Sequence, residues 1–97
     1  MRVQWTIAAL RSAAVLFLWI RERDPLAAER VYDAIIRTGN SLATMVRRHR
    51  PRANGRRRIP VAGYEQFYIR YRISLEDGEE IVVLETVRRG AGDRRTT

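Results

Sequence analysis

The residues best suited to chemistry in this chain are its arginines. All 19 basic residues are arginine and none is lysine; against 11 acids they leave a net charge of +8. A guanidinium group stays charged and presents a planar fork of donors. That suits phosphate, carboxylate or stacking contacts and does not suit Schiff-base or proton-transfer work. Seven of them, Arg47, Arg48, Arg50, Arg52, Arg56, Arg57 and Arg58, fall within twelve residues that contain no acid. A field of that sign selects nucleic acid or an acidic protein segment as partner; the plainer reading is a solvated loop.

Groups able to move protons are few. His49 is the only histidine, and a lone histidine in a charged loop is more often solvated than catalytic. Glu65, between Tyr64 and Gln66, is the only carboxylate near the middle strands and the best candidate base if cleavage occurs; the plainer reading is a charge at a strand start. There is no cysteine, which removes disulfides, thiolate zinc sites and thiol nucleophiles and fits a reducing compartment. No cluster of ligand spacing, phosphate loop or dinucleotide fingerprint is present, so neither a metal nor a cofactor is expected.

Punctuation and periodicity mark the elements that must position these groups. Arg2 to Trp5 reads as a short strand, and Thr6 as the cap of a helix from Ile7 to about Arg23. Ile7, Leu10, Ala14, Phe17 and Leu18 recur at helical spacing and are expected to face a sheet. Val15, Leu16 and Trp19 make the rest of this cylinder apolar, so part of it is expected to meet a partner. The apolar run from Ala13 to Ile20 is bounded by Arg11 and by Arg21-Glu22-Arg23-Asp24. A membrane span needs about 20 apolar residues, so a cytoplasmic chain with no membrane contact is expected.

Asp24-Pro25 supplies a helix cap and a first helical residue with φ already fixed. The second helix places Ala28, Val31, Ala34 or Ile35 and Thr38 on one stripe, with Glu29, Arg30, Asp33 and Arg37 outside. Gly39-Asn40 is expected to end it. Ser41 then caps a further turn that tucks in Leu42, Met45 and Val46 before the arginine run. After Asn54-Gly55, Arg56 to Val61 extends as a strand, and Pro60 assigns it to an edge or a bulge.

The clearest signal follows. Phe67, Ile69, Tyr71 and Ile73 alternate with Tyr68, Arg70, Arg72 and Ser74, Asp77-Gly78 makes a two-residue turn, and Glu80 to Val87 returns. That register sets Ile73 opposite Val82, Tyr71 opposite Leu84 and Ile69 opposite Thr86. On the other face Arg70 meets Glu85 as an ion pair, while Arg72, opposite Val83, has no partner and is left to bind something. Residues 90–97 lack an apolar anchor and are expected to fray. The result is a single α+β domain over residues 1–89, an antiparallel sheet packed against an N-terminal helical hairpin.

Taken together, Trp5-Thr6, Ala9-Leu10, Asp24-Pro25 with Ala27-Ala28, Ile35, Leu42, Gly55, Arg57, Tyr71-Arg72-Ile73 and Ile81 to Val87 resemble the RelE/ParE superfamily of bacterial type II toxin–antitoxin systems. The resemblance implies a β-α-α-β-β-β fold and a basic toxin neutralised by a cognate antitoxin with an acidic segment, together a hetero-oligomer. RelE-like members cut messenger RNA on the ribosome with lysines, or with a Glu and a His or Tyr after the last strand. ParE-like members inhibit DNA gyrase. This chain has no lysine and carries Arg88 where many relatives place a histidine, so the resemblance is to the ParE-like branch. Target binding is then expected at Arg57, Arg58, Arg70, Arg72, Arg88 and Arg89, and antitoxin binding at Val15, Leu16, Trp19 and Tyr68. The alternatives are a nuclease, with Arg57, Arg72 and Arg88 steadying phosphate and Glu65 or His49 moving protons, and a non-catalytic nucleic-acid-binding module.

Overall fold

The computed structural model describes residues 1–45 and 55–90. His49, Arg47, Arg48, Arg50, Arg52 and the tail beyond Gly90 lie outside the described residues. The elements are β1 (Arg2–Trp5), α1 (Ile7–Arg21), α2 (Pro25–Met45), β2 (Arg57–Val61), β3 (Tyr64–Glu76) and β4 (Glu79–Arg89). They form one four-stranded sheet of order β1-β4-β3-β2. β1 runs parallel to β4 and the remaining pairs are antiparallel. The helical hairpin covers one face, so the sheet is mixed at its β1 edge and otherwise as expected.

The hinge between the helices forms as the sequence dictates, with Asp24 Oδ1 accepting from the Ala27 amide at 3.1 Å. On α2 the stripe Ala28, Val31, Ala34, Ile35 and Thr38 is buried, and Glu29, Arg30, Asp33 and Arg37 are exposed. The expected stop at Gly39-Asn40 is corrected, because α2 continues to Met45. A Cβ at Gly39 would come within 2.4 Å of Trp5 Cζ2 and 3.0 Å of Leu84 Cδ1. The glycine is there for close approach, and Trp5 Nε1 donates to Asn40 Oδ1 at 3.1 Å beside it. Packing of the indole offsets the roughly 1 kcal/mol that glycine costs a helix. Ser41 likewise caps no separate turn; its hydroxyl donates to the Thr38 carbonyl within the helix at 2.6 Å.

The face of α1 is also corrected. Ala9 and Ala13 are fully buried, and Leu16 and Ile20 pack against the core. Ile7, Leu10, Ala14 and Leu18 face outward and Phe17 is half-buried. Backbone accounting explains the rotation. β1 ends opposite Leu84, which leaves the edge of β4 open beyond it. Thr6 Oγ1 donates to the Leu84 carbonyl at 2.7 Å while accepting from the Ala9 amide at 3.0 Å. Ser12 Oγ accepts from the Val87 amide at 2.8 Å. Each such group left unpaired in the interior costs about 1–3 kcal/mol, and alanines at positions 9 and 13 let α1 come close enough to satisfy them.

β2 starts at Arg57, one residue later than expected, and lies on the sheet edge with an irregularity at Pro60/Val61. In the β3–β4 hairpin Asp77 (φ 52°) and Gly78 (φ 80°) both adopt the left-handed conformation of a tight hairpin turn. Ile73 pairs with Val82 and Tyr71 with Leu84, as read from the sequence. Beyond them a bulge intervenes: Arg70 pairs with Thr86 and Ile69 with Val87. The pairings Ile69–Thr86 and Arg70–Glu85 are therefore corrected. The extra residue restores alternation in favour of the core, burying Val87 rather than Thr86, and leaves Glu85 on the side away from the helices.

Candidate functional site

Strand alternation sorts the arginines by face. Ile59, Phe67, Ile69, Tyr71, Val82, Leu84 and Val87 belong to the core under the helices. Arg58, Arg70, Arg72 and Arg88 alternate with them and so lie on the outer face. Among the described residues no helix covers that face, yet Tyr68, Ile81 and Val83 are buried on it, at 8%, 1% and 6% exposure. Ile81 and Val83 pair across strands with Arg2 and Arg72, whose aliphatic stems can shield apolar neighbours while the charged heads stay wet. The apolar part of the outer face is thus already closed, and what it presents is charge.

Glu85 organises that charge. Arg56 Nε donates to its Oε1 at 2.6 Å and Arg72 Nε to its Oε2 at 2.9 Å. Burial pushes the Glu85 carboxyl upward, but the hydrogen bonds and charges of Arg56 and Arg72 outweigh it and hold the group below the usual carboxylate range. The expected Arg70–Glu85 pair is replaced by this clamp, and Arg72 is not without a partner. It spends Nε on Glu85, and its Nη fork makes no hydrogen bond with the described residues.

Arg58 stands opposite Arg70, a like-charge pairing that costs stability in a sheet. The Arg58 guanidinium is drawn over the Tyr68 ring, 4.0 Å from its centroid. Gly90 lies against the same ring, its amide donating to the Gln66 carbonyl at 2.7 Å, and a Cβ there would meet Tyr68 Cδ2 at 2.9 Å. Arg70 Nε is buried with no acceptor, an unsatisfied donor worth about 1–3 kcal/mol of lost solvation. Arg88, opposite Tyr68, is exposed and makes no polar contact among the described residues.

The remaining candidates lie elsewhere. Arg57 pairs with Tyr71 and therefore shares the helix-side face, adjacent in strand position to Arg72 but on the opposite side. Arg89 pairs with Phe67 and approaches the Trp19 ring at 4.6 Å, as Arg23 does at 4.4 Å. Glu65 is exposed at the start of β3 and accepts from the Gly63 amide at 3.3 Å. It sits seven residues, or about 23 Å of extended strand, from Arg72. Val15 and Trp19 are exposed and Leu16 is half-buried on α1, whereas Tyr68 is enclosed on the sheet's outer side and does not join them. Arg56 and the clamping role of Glu85 escaped the sequence reading. An acid inside the otherwise apolar run Ile81 to Val87 was the available signal.

A second surface is apolar. Ile7, Leu10, Val15, Leu18 and Trp19 are exposed along α1. Ala14, Phe17 and Tyr32 line a groove of about 290 Å³ between the helices, where the Phe17 and Tyr32 rings meet edge to face at 5.8 Å. Among the described residues no group of three His, Asp or Glu could hold a metal, and no helix is long and apolar enough to cross a membrane. The outer face supplies fixed cations for a polyanion or a developing negative charge.

A helical hairpin backing a four-stranded sheet is a fold shared with solved structures. The structure titled "Chromosomal ParDE TA system from P. aeruginosa" is similar with a TM-score of 0.76 at 16% identity, covering 92% of this chain and 95% of that one. The "YoeB/ParE toxin from Agrobacterium tumefaciens" is similar with a TM-score of 0.51 at 18% identity, covering 92% and 98%. At such identities these likenesses establish the fold. Residues 3–94 match the family described as ParE toxin of type II toxin-antitoxin system, parDE. The chain belongs to that family. No curated protein sequence matched it.

Proposed function

We propose that this ParE-family toxin inhibits growth by binding DNA gyrase through the outer face of its sheet, and that a cognate antitoxin neutralises it by covering the apolar side of the helical hairpin. The observation that carries the reading is the composition of the outer face. Arg58, Arg70, Arg72 and Arg88 stand together there; the chain has no lysine, and its one histidine, His49, lies outside the described residues. The nearest tyrosines, Tyr68 and Tyr71, are buried. Glu85 is committed to two arginines and held in its ionised form, which makes it a poor proton acceptor near neutral pH. Cleaving RNA needs a base, an acid and cations; this surface offers cations. The antitoxin half of the proposal rests on Val15, Leu18 and Trp19, exposed at 61%, 48% and 40%, which give an amphipathic segment an apolar surface to bury.

The test is purified protein assayed side by side for inhibition of gyrase supercoiling and for cleavage of messenger on programmed ribosomes. Inhibition without cleavage is expected. Cleavage within codons, with gyrase unaffected, would overturn the target assignment.

A further inference from the structure

We infer that Arg70, Arg72 and Arg88 form a binding site for the phosphodiester backbone of a nucleic acid on the outer face of the sheet, held open by Glu85. The inference deepens the gyrase reading, on which its biological setting rests. It adds the nucleic acid handled by the target to what this face touches.

Three features support it. The first is donor supply. Arg72 bonds Glu85 through Nε alone, which leaves its Nη fork without a hydrogen bond among the described residues; Arg70 is half-buried and Arg88 exposed, and neither makes a polar contact among the described residues. Charged forks of this kind match phosphate oxygens better than any other side chain does. The second is spacing. Residues two apart on one strand face lie about 7 Å apart and neighbouring strands about 5 Å apart. Arg70 and Arg72 on β3 and Arg88 on β4 therefore make a cation lattice that a polyanion meets at several points at once.

The third feature separates a phosphodiester from an acidic peptide. A peptide gains most of its affinity from buried apolar anchors, and here the apolar residues of the outer face, Tyr68, Ile81 and Val83, are already covered. Exposed apolar surface is found on α1 instead. Binding at the sheet must come from charge, which is how proteins hold a nucleic-acid backbone without reading its sequence. Tyr68 is enclosed by Arg58 and Gly90, so among the described residues no tyrosine ring opposite Arg88 is open for a base to stack on. That favours a duplex over a single strand.

Glu85 has two effects in this arrangement. It orients Arg72, and it stands in for an anion between Arg72 and Arg56 until a phosphate arrives. It also subtracts one negative charge's worth of attraction, which keeps the face from holding polyanions indiscriminately.

The experiment is fluorescence anisotropy of the full chain with a short labelled DNA duplex and with a single-stranded RNA of the same length, titrated with salt and with no topoisomerase present. Arg72→Ala, Arg70→Ala and Arg88→Ala should each weaken duplex binding about tenfold at low salt, uniformly across sequences, and lower the salt slope by about 1. Arg11→Ala and Arg37→Ala on the helices should leave both unchanged. Arg88→Ala removes no polar contact among the described residues, and a thermal melt matching wild type separates its effect on binding from any effect on folding. Tighter binding of RNA with the same arginine dependence would keep the site and assign it to RNA. Absence of binding, binding indifferent to all three substitutions, or displacement by poly-glutamate at equal charge concentration would overturn the inference. Wild-type protein that inhibits gyrase but binds no duplex would sink this inference alone, and wild-type protein that binds duplex but leaves gyrase uninhibited would sink the gyrase reading alone.

Discussion

The two outer surfaces of this domain are built on opposite logic. On the hairpin, α1 buries its small residues and exposes its large ones, so Ile7, Val15, Leu18 and Trp19 stand in water. On the sheet, the apolar residues Ile81 and Val83 are closed over and guanidinium groups stand out. One surface can gain free energy by removing apolar area from water, and the other by exchanging counterions for a polyanion. The difference teaches that a short chain can carry two binding surfaces of unlike chemistry, provided that neither is needed to close the core.

The largest effect is expected between the two sides of α1. Ala13→Leu inserts bulk at a fully buried contact and should cost about 1–3 kcal/mol of folding stability. Val15→Ser, on the exposed side, should stay within about 0.5 kcal/mol. Urea denaturation of the two variants checks this, and equal losses would mean that the rotation of α1 is misassigned. Next, Trp19→Ala should weaken antitoxin binding by about 2 kcal/mol if the hairpin is the antitoxin surface and leave gyrase inhibition unchanged. Isothermal titration against the cognate antitoxin reads the first and a supercoiling assay the second.

The smallest effect concerns Glu85. Its carboxyl is held below its unfolded value, so the stability it contributes is present above the ordinary glutamate range, near 4.5, and is lost as pH falls through the folded value. Because Arg56 and Arg72 are about two-fifths exposed, the contribution should be under about 1 kcal/mol. Glu85→Gln should flatten that part of the acid limb of a stability–pH curve and leave the curve above pH 6 parallel to wild type. An acid limb identical in both proteins would remove the clamp from the energetics.

Much of the fold was legible because its signals are local. Asp77-Gly78 demands two left-handed residues, Asp24-Pro25 demands a helix start, and the α2 stripe follows from spacing alone. What could not be read depended on residues far apart in the chain. Gly39 looks like a helix stop until Trp5 and Leu84 are seen against it. The buried face of α1 does not follow from the helical spacing of Ile7, Leu10, Ala14, Phe17 and Leu18, because Thr6 and Ser12 have backbone groups on β4 to satisfy. The bulge beside Arg70 has no glycine or proline to announce it, and it moved Glu85 from Arg70 to Arg72 and Arg56. The arginines of the candidate site were thus all visible in the sequence, while their division between faces was not: Arg57 and Arg89 lie on the helix side, and Arg56 joins the outer cluster.

The division of labour between the surfaces is tested most directly by gyrase supercoiling inhibition with three proteins: wild type, the sheet-face variant Arg70→Ala/Arg72→Ala/Arg88→Ala, and the hairpin variant Val15→Ser/Trp19→Ala. The sheet-face variant should lose at least about tenfold in inhibition while the hairpin variant inhibits as wild type does. Full inhibition by the sheet-face variant, with the hairpin variant inactive, would contradict the account.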